Sequence, residues 1–304
     1  MTHDVIIIGT GPAGLAAGSH AGRSGLDTLY LEKESVGGEL VNRHDVRWFP
    51  GFPDGISGTD LRQRMVEGAE RYDPEVTIAT VEGIDPGDGD DPHVVRTENA
   101  TYETEAVVVA TGGEERELGI PGEDEYEGRG VFYCSACDGP LYRDERVAVV
   151  GGDNRAVVDA VYLTEFASEV LLFCADDELS ADATLGEEAR STADLDVRTG
   201  TRVAEALGTD GLLDSVRVVE AATGEEETVV VDGLNVNVGT VPNSEFVADT
   251  LELTDEGRIV VDQKLETSVP GVFAAGDVRQ DSPLEIAAAV GDGITAIEAA
   301  KRSR

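Results

Sequence analysis

Four β-branched residues in a row, Val5-Ile-Ile-Ile8, run into Gly9-Thr-Gly11-Pro12-Ala13-Gly14 and then into an alanine-rich stretch. That order demands a buried strand, a tight turn and a helix that starts at once. A second copy follows about 140 residues later, where Arg146-Val-Ala-Val-Val150 leads into Gly151-Gly152-Asp153-Asn154-Arg155-Ala156. Each copy opens a parallel strand, helix, strand unit. At roughly 150 residues per domain, a chain of 304 residues divides into two. The predicted fold is therefore α/β, with a parallel sheet in each of two domains.

The charge narrows the partners. Against 23 Lys plus Arg stand 62 Asp plus Glu, a formal net charge of −39. Such a surface repels phosphate backbones and anionic headgroups, and no basic run reverses the sign locally, so nucleic acid and membrane surface are poor partners. Lysine occurs only at 33, 264 and 301, and the other cations are arginine. Carboxylates scattered along the whole length suit concentrated salt, which screens their mutual repulsion. The start, Met1-Thr-His-Asp4, shows no basic region followed by an apolar stretch, and runs such as Val5 to Ile8 and Ala106 to Ala110 are too short to span a bilayer. A salt-adapted cytoplasmic protein is the expectation.

Further along, Asp85-Pro-Gly-Asp-Gly-Asp-Asp-Pro92 carries turn signals between strand-like Glu75 to Val81 and Val94-Val95, which predicts a surface hairpin. Gly113 to Gly130 reads as a crossing linker, with a second crossing near Gly239 to Asn243. Leu284 to Ala300 has helical character.

Two motifs carry chemistry. In the first, Gly9 makes the tight turn, Gly11 lets a pyrophosphate approach the backbone, and Gly14 lets the helix pack close to its strand. The anion then meets the amide groups at the positive end of the helix dipole. Glu32, 23 positions beyond Gly9, ends the next strand-like run and is placed to accept hydrogen bonds from ribose hydroxyls. A strand-to-helix turn without ligand is the alternative. The second motif is Cys134-Ser-Ala-Cys137-Asp138. Two thiols at this spacing can close a redox-active disulfide, and Asp138 can carry the proton. Zinc lacks its further ligands, because Cys174 is the only other cysteine and His3, His20, His44 and His93 form no paired spacing. No metal site is predicted.

Gly9 to Gly14, Gly37-Gly38-Glu39-Leu40, Phe49-Pro-Gly-Phe52, Ala110-Thr111-Gly112, Ile120-Pro-Gly122, Val131 to Gly139 and Val272-Phe-Ala-Ala-Gly276-Asp277-Val278 together resemble the low-molecular-weight thioredoxin reductases. The match runs in order over nearly the whole chain. The resemblance implies two doubly wound Rossmann-like domains: an FAD domain of residues 1–115 and 244–304, and an inserted nicotinamide-type domain of residues 116–243 that carries the cysteines. It implies a homodimer and a thioredoxin-like partner. FAD would be held by Gly9, Gly11, Pro12, Ala13, Gly14, Glu32, Gly38, Glu39, Leu40, Ala110, Thr111, Gly112, Gly276 and Asp277, with Asp277 on the ribityl chain. Cys137 would be the sulfur nearest the flavin, Cys134 the one that attacks the partner, and Asp138 the acid-base group.

The chain departs from this family at its second glycine motif. Members typically have, where Asp153 stands, the glycine that lets a pyrophosphate approach, and Asp153 brings bulk and negative charge to that place. Where NADPH-using members carry His-Arg-Arg, this chain has Cys174-Ala175-Asp176. Each lost charge-assisted phosphate contact is worth ~1.5 to 3 kcal/mol, so NADPH is disfavoured, and NADH fits poorly for want of a ribose acceptor at Cys174. The expected donor is therefore another reductant, such as reduced deazaflavin or ferredoxin. A dithiol oxidase passing electrons to oxygen, and a non-enzymatic flavin redox sensor, are the rival readings. Trp48 stands where the family usually has Asn, and Leu284-Glu285 where it has Arg-Gln; Trp48 either packs in the core or stacks on the flavin ring. The salt reading has its own check: the thermal unfolding midpoint is expected to rise when molar salt replaces dilute buffer, and a level or falling midpoint would remove it.

Overall fold

The β-branched run at the start forms the strand that its composition demands. In a computed structural model, which describes residues 2–88 and 91–303, Val5–Ile8 is the middle strand of five parallel ones. Their order is Val272–Ala274, Val107–Val109, Val5–Ile8, Thr28–Glu32, Glu75–Ile78. The chain divides into two compact units, Met1–Glu114 with Val241–Arg304, and Glu115–Thr240.

In the first unit, alternate side chains of the sheet serve two cores. Val5, Ile7, Tyr30, Val108 and Phe273 face the alanines of helix Pro12–Arg23 and of the C-terminal helix Ile286–Ser303. Ile6, Ile8, Leu29, Leu31 and Val107 face the other way, onto a layer that includes Ile84 and Val95. Those two belong to a second sheet, ordered Thr2–His3, Thr101–Thr104, His93–Thr97, Val81–Asp85. Each fully buried aliphatic side chain contributes about 1.5–3 kcal/mol, so both faces must be covered for the sheet to be stable. The predicted hairpin is made by Val81–Asp85 and His93–Thr97; Glu75–Ile78 instead joins the edge of the parallel sheet. The chain changes sheets at Ala79 and Thr80, which lie between the two strands. Gly89 and Asp90 of the expected turn lie outside the described residues.

The second unit repeats the plan. Its parallel sheet is ordered Val131–Phe132, Gly233–Val236, Arg146–Val150, Glu169–Phe173, Leu195–Arg198. Val147, Val149, Val170 and Leu172 pack on Val157, Ala160 and Leu163 of helix Asn154–Leu163. Ala148, Val150, Leu171 and Phe173 pack on Val203, Val216 and Val218 of an antiparallel sheet formed by Thr201–Thr209, Leu212–Glu220 and Glu226–Val230. Part of the stretch that reads as a polar linker is ordered, since Glu123–Tyr126 is a short helix whose two end residues are buried. Among the described residues, no helix is long and apolar enough to cross a membrane.

Helix Ile286–Ser303 lies so close to helix Pro12–Arg23 that a Cβ added to Gly293 would stand 2.1 Å from the Ala13 carbonyl oxygen and 2.9 Å from the Ala17 nitrogen. Both neighbours are backbone and cannot swing aside. Helix propensity alone would make Gly293→Ala stabilising by up to about 1 kcal/mol. The expected outcome is a net loss of ~1–3 kcal/mol, read from the denaturation midpoint; a gain would show that the helices can separate freely.

Candidate active site

The first glycine turn is built by close backbone approaches. Gly9 has φ 95°, and a Cβ on it would meet the Ala110 carbonyl oxygen at 2.5 Å. On Gly14 it would stand 1.9 Å from the Gly9 oxygen, so both glycines are needed by the protein itself. Gly11 is different: its φ is −64°, open to any residue, and nothing lies within 4 Å of where its Cβ would be. It is also the N-cap of helix Pro12–Arg23 and has no side chain to satisfy the first-turn amides. Gly38 and Gly276 close in on the same turn, since their added Cβ atoms would lie 3.1 Å from Gly11 Cα and 3.0 Å from Ala13 Cβ. Thr111 is locked beside Ala110: its hydroxyl donates to the Asn243 carbonyl at 2.6 Å, and Asn243 Nδ2 returns a bond to the Thr111 carbonyl at 3.1 Å.

Carboxylates stand on two sides of this cluster. Glu32 is buried at its strand end and accepts from the Thr10 amide at 2.9 Å, from the Thr10 hydroxyl, and from the Glu34 amide at 3.1 Å. Asp277 follows Gly276; burial pushes its carboxyl up, against the Ser282 hydroxyl and the charges of Arg43 and Arg258. Asp292, nearly two turns into the C-terminal helix, has no motif in the sequence to mark it. It accepts from the Gly276 amide at 3.0 Å and takes a two-point bond from Arg279, at 2.6 and 3.0 Å. An acid flanked by two glycines in an alanine-rich helix, Gly291-Asp292-Gly293, is the signal that could have found it. Of the remaining predicted residues, Glu39 is exposed and accepts from Asn42, while Leu40 is buried with Val46 and Leu61 in an apolar cluster. Gly112 has φ 62° and accepts from the Asn243 amide.

In the second unit, Cys134 and Cys137 form a disulfide. Cys134 is the N-cap of the short helix Ser135–Asp138, and its sulfur accepts from the Cys137 amide at 3.1 Å. Cys137 is exposed and Cys134 is half-buried. Asp138 follows directly, and burial pushes its carboxyl up. Cys174, beyond the strand Glu169–Phe173, is a buried thiol.

The second glycine turn is filled by the chain itself. Asp153 is the N-cap of helix Asn154–Leu163, and its Oδ1 accepts from the Ala156 amide at 2.9 Å. The sulfur of Cys174 lies 2.6 Å from where a Cβ on Gly152 would be. Arg155, the cation nearest this turn in sequence, pairs with Glu115 and lies 3.9 Å from Asp159. Trp48 is 51% exposed, so it is not a core residue; Phe49 and Phe52 take that part, packing on Leu40, Val46 and Leu61.

Two dinucleotide-type units, one with an open helix N-terminus beside a buried carboxylate and one with a Cys-x-x-Cys disulfide, define a flavin-dependent disulfide oxidoreductase. The family model described as pyridine nucleotide-disulphide oxidoreductase matches residues 3–293. A thioredoxin reductase of Listeria innocua is 39% identical over 292 residues, 96% of this chain and 90% of that protein. The crystal structure of Lactococcus lactis thioredoxin reductase superposes with a TM-score of 0.96 at 36% identity, covering 99% of each chain. A lower match is a ferredoxin-flavin thioredoxin reductase from Clostridium acetobutylicum, with a TM-score of 0.52 at 28% identity over 99% of this chain and 98% of that one. The chain belongs to the pyridine nucleotide-disulphide oxidoreductase family, among the low-molecular-weight thioredoxin reductases.

The cofactor of that family is FAD, and the first unit fits it: the only glycine of the turn that the fold does not need is the one a pyrophosphate would approach. Gly11→Ala should therefore cost the apoprotein no more than about 1 kcal/mol, the difference between glycine and alanine at an N-cap, while weakening FAD binding about tenfold or more. Titration of apoprotein by flavin fluorescence measures this, and unaltered affinity would move the pyrophosphate elsewhere.

Proposed function

We propose that this chain reduces the disulfide of a thioredoxin-like protein through FAD and the Cys134–Cys137 pair, with electrons from a donor other than NADPH. For the donor, the carrying observation is the Asp153 carboxylate on the Ala156 amide. A helix N-terminus that has its own anion offers little to a second one. Nearby, Cys174, Ala175 and Asp176 supply no cation for a 2′-phosphate. The Clostridium acetobutylicum relative, named a ferredoxin-flavin enzyme, supports reduced ferredoxin as the donor class, with reduced deazaflavin as the other.

FAD, when bound, takes up a reducing pair and passes it to a disulfide. Gly9, Gly11 and Gly14 would hold its pyrophosphate, Glu32 a ribose and Asp277 the ribityl chain. In the reduced enzyme, thiolate Cys134 attacks the partner disulfide and displaces one partner sulfur. Cys137 then attacks Cys134 Sγ, which closes the Cys134–Cys137 bond and frees the second partner sulfur. Two electrons move to the partner, and two protons must follow them. Burial raises the Asp138 carboxyl, so it retains a proton nearer neutral pH and can deliver it to a departing sulfur. With this reading go the homodimer that the resemblance implies and the cytoplasmic setting expected from the charge and the first residues.

Two measurements test it. Mixed anaerobically with the holoenzyme, reduced ferredoxin or deazaflavin should bleach the flavin absorbance rapidly and NADPH should not; rapid bleaching at micromolar NADPH would overturn the donor assignment. Cys137→Ser should trap a thioredoxin as a mixed disulfide on Cys134. Trapping by Cys134→Ser on the more exposed Cys137 would reverse the two roles, and peroxide formed from an added dithiol without thioredoxin turnover would favour a dithiol oxidase.

A further inference from the structure

We propose that Glu123 and Asn235 are positioning residues for Cys134: they hold the chain just ahead of it from two sides and so set how readily the Cys134–Cys137 disulfide forms. The inference rests on the reading of this pair as the redox centre.

The strand that leads to Cys134 is weak. Val131–Phe132 has two residues, sits at the edge of its sheet and forms its one strand ladder with Gly233–Val236, with a single bridge from Val131 to Glu127 on its other side. So short a ladder orients the next residues poorly. Each of the next two anchoring points is instead a side-chain bond. Asn235, the register partner of Phe132, donates from Nδ2 to the Phe132 carbonyl at 3.3 Å. Its orientation is imposed by Asn237, whose Nδ2 donates to Asn235 Oδ1 and leaves only the Asn235 amide hydrogens for Phe132. Both asparagines are buried, and the strand that holds Asn235 is otherwise made of Gly, Leu and Val. A buried primary amide costs stability unless bonded, and an apolar residue would fill the same position without that cost.

The second anchor is Glu123, 2% exposed. Its carboxylate takes amide hydrogens from Leu118 at 2.7 Å, Gly119 at 2.6 Å and Ile120 at 3.3 Å, and the hydroxyl of Tyr133 at 2.8 Å. Four donors, none of them a cation, satisfy this buried anion. Tyr133 is the residue immediately before Cys134. Burial and the bond to Glu123 both push its phenol up, so it stays a neutral donor at neutral pH. The two residues ahead of the attacking sulfur are thus tied to Asn235 and Glu123. On the other side of Cys134, Ser135 is buried and starts the turn that carries Cys137. How strongly two thiols favour their disulfide over mixed species with a free thiol is their effective concentration, which rises with such preorganisation.

The test is the equilibrium of the holoenzyme's dithiol with glutathione buffers under anaerobic conditions, read by thiol alkylation and mass. Tyr133→Phe removes one hydroxyl, and Asn235→Leu removes one amide. Each is expected to lower the equilibrium constant for disulfide formation about threefold or more, and the double variant further. Thr209→Val, which loses a hydroxyl bond to Asp214 on the antiparallel sheet, should match wild type. Tyr133→Phe alone decides if Asn235→Leu fails to fold. A wild-type equilibrium constant in Tyr133→Phe, even with a lowered unfolding midpoint, would mean that the anchors are merely structural and would overturn the proposal. A wild-type pair that exchanges with glutathione but never with thioredoxin would instead fail the functional reading and leave this one standing.

Discussion

An α-helix begins with amide groups that have no partner within the helix, and something must accept their hydrogens. The two units of this chain meet that demand in opposite ways at equivalent turns. In the first, glycine stands at the N-cap and leaves the amides free to receive an anion from outside. In the second, Asp153 stands there and supplies the anion from within. Both helices are equally well formed and both sit on a buried parallel sheet. One residue therefore separates a turn poised for a phosphate from a turn already neutralised, and the proposed choice of electron donor rests on that difference.

Around the open turn, space is made by glycine and order by carboxylates. Gly9, Gly14 and Gly293 allow backbone to lie on backbone, so that the first helix is pressed between its strand and the C-terminal helix. Asp292 and Arg279 then pin the Gly276 amide, and with it the turn that presents Asp277. This is an ion pair whose worth lies in geometry: it is largely buried and bonded at two points, and it ties the C-terminal helix to a loop.

The sheets, the glycine turns and the cysteine motif were legible because their signals are local. Val5 to Ile8 can only be a buried strand, and Cys134 and Cys137 declare themselves by spacing. The cover on the second face of each sheet was not legible: the antiparallel strands Thr201–Thr209 and Leu212–Glu220 alternate weakly, and nothing in their residues names the sheet they pack on. Glu75–Ile78 misled for a related reason, since an exposed edge strand carries no pattern to say which partner it joins. Glu123, Asn235 and Asp292 escaped notice because their importance lies in partners remote in sequence or in the main chain. The fate of Trp48 depended on Phe49 and Phe52, which occupy the apolar cluster and leave the indole outside it.

That last arrangement has a practical side. The protein has one tryptophan, and it lies in the first unit, half in water, on a segment held by an apolar cluster. Indole emission, excited selectively at the red edge of its absorption, thus comes from one half of the molecule. Melting of the unit that bears the sulfurs would pass unseen by that probe, and a single smooth optical transition would describe the wrong half unless paired with circular dichroism or calorimetry.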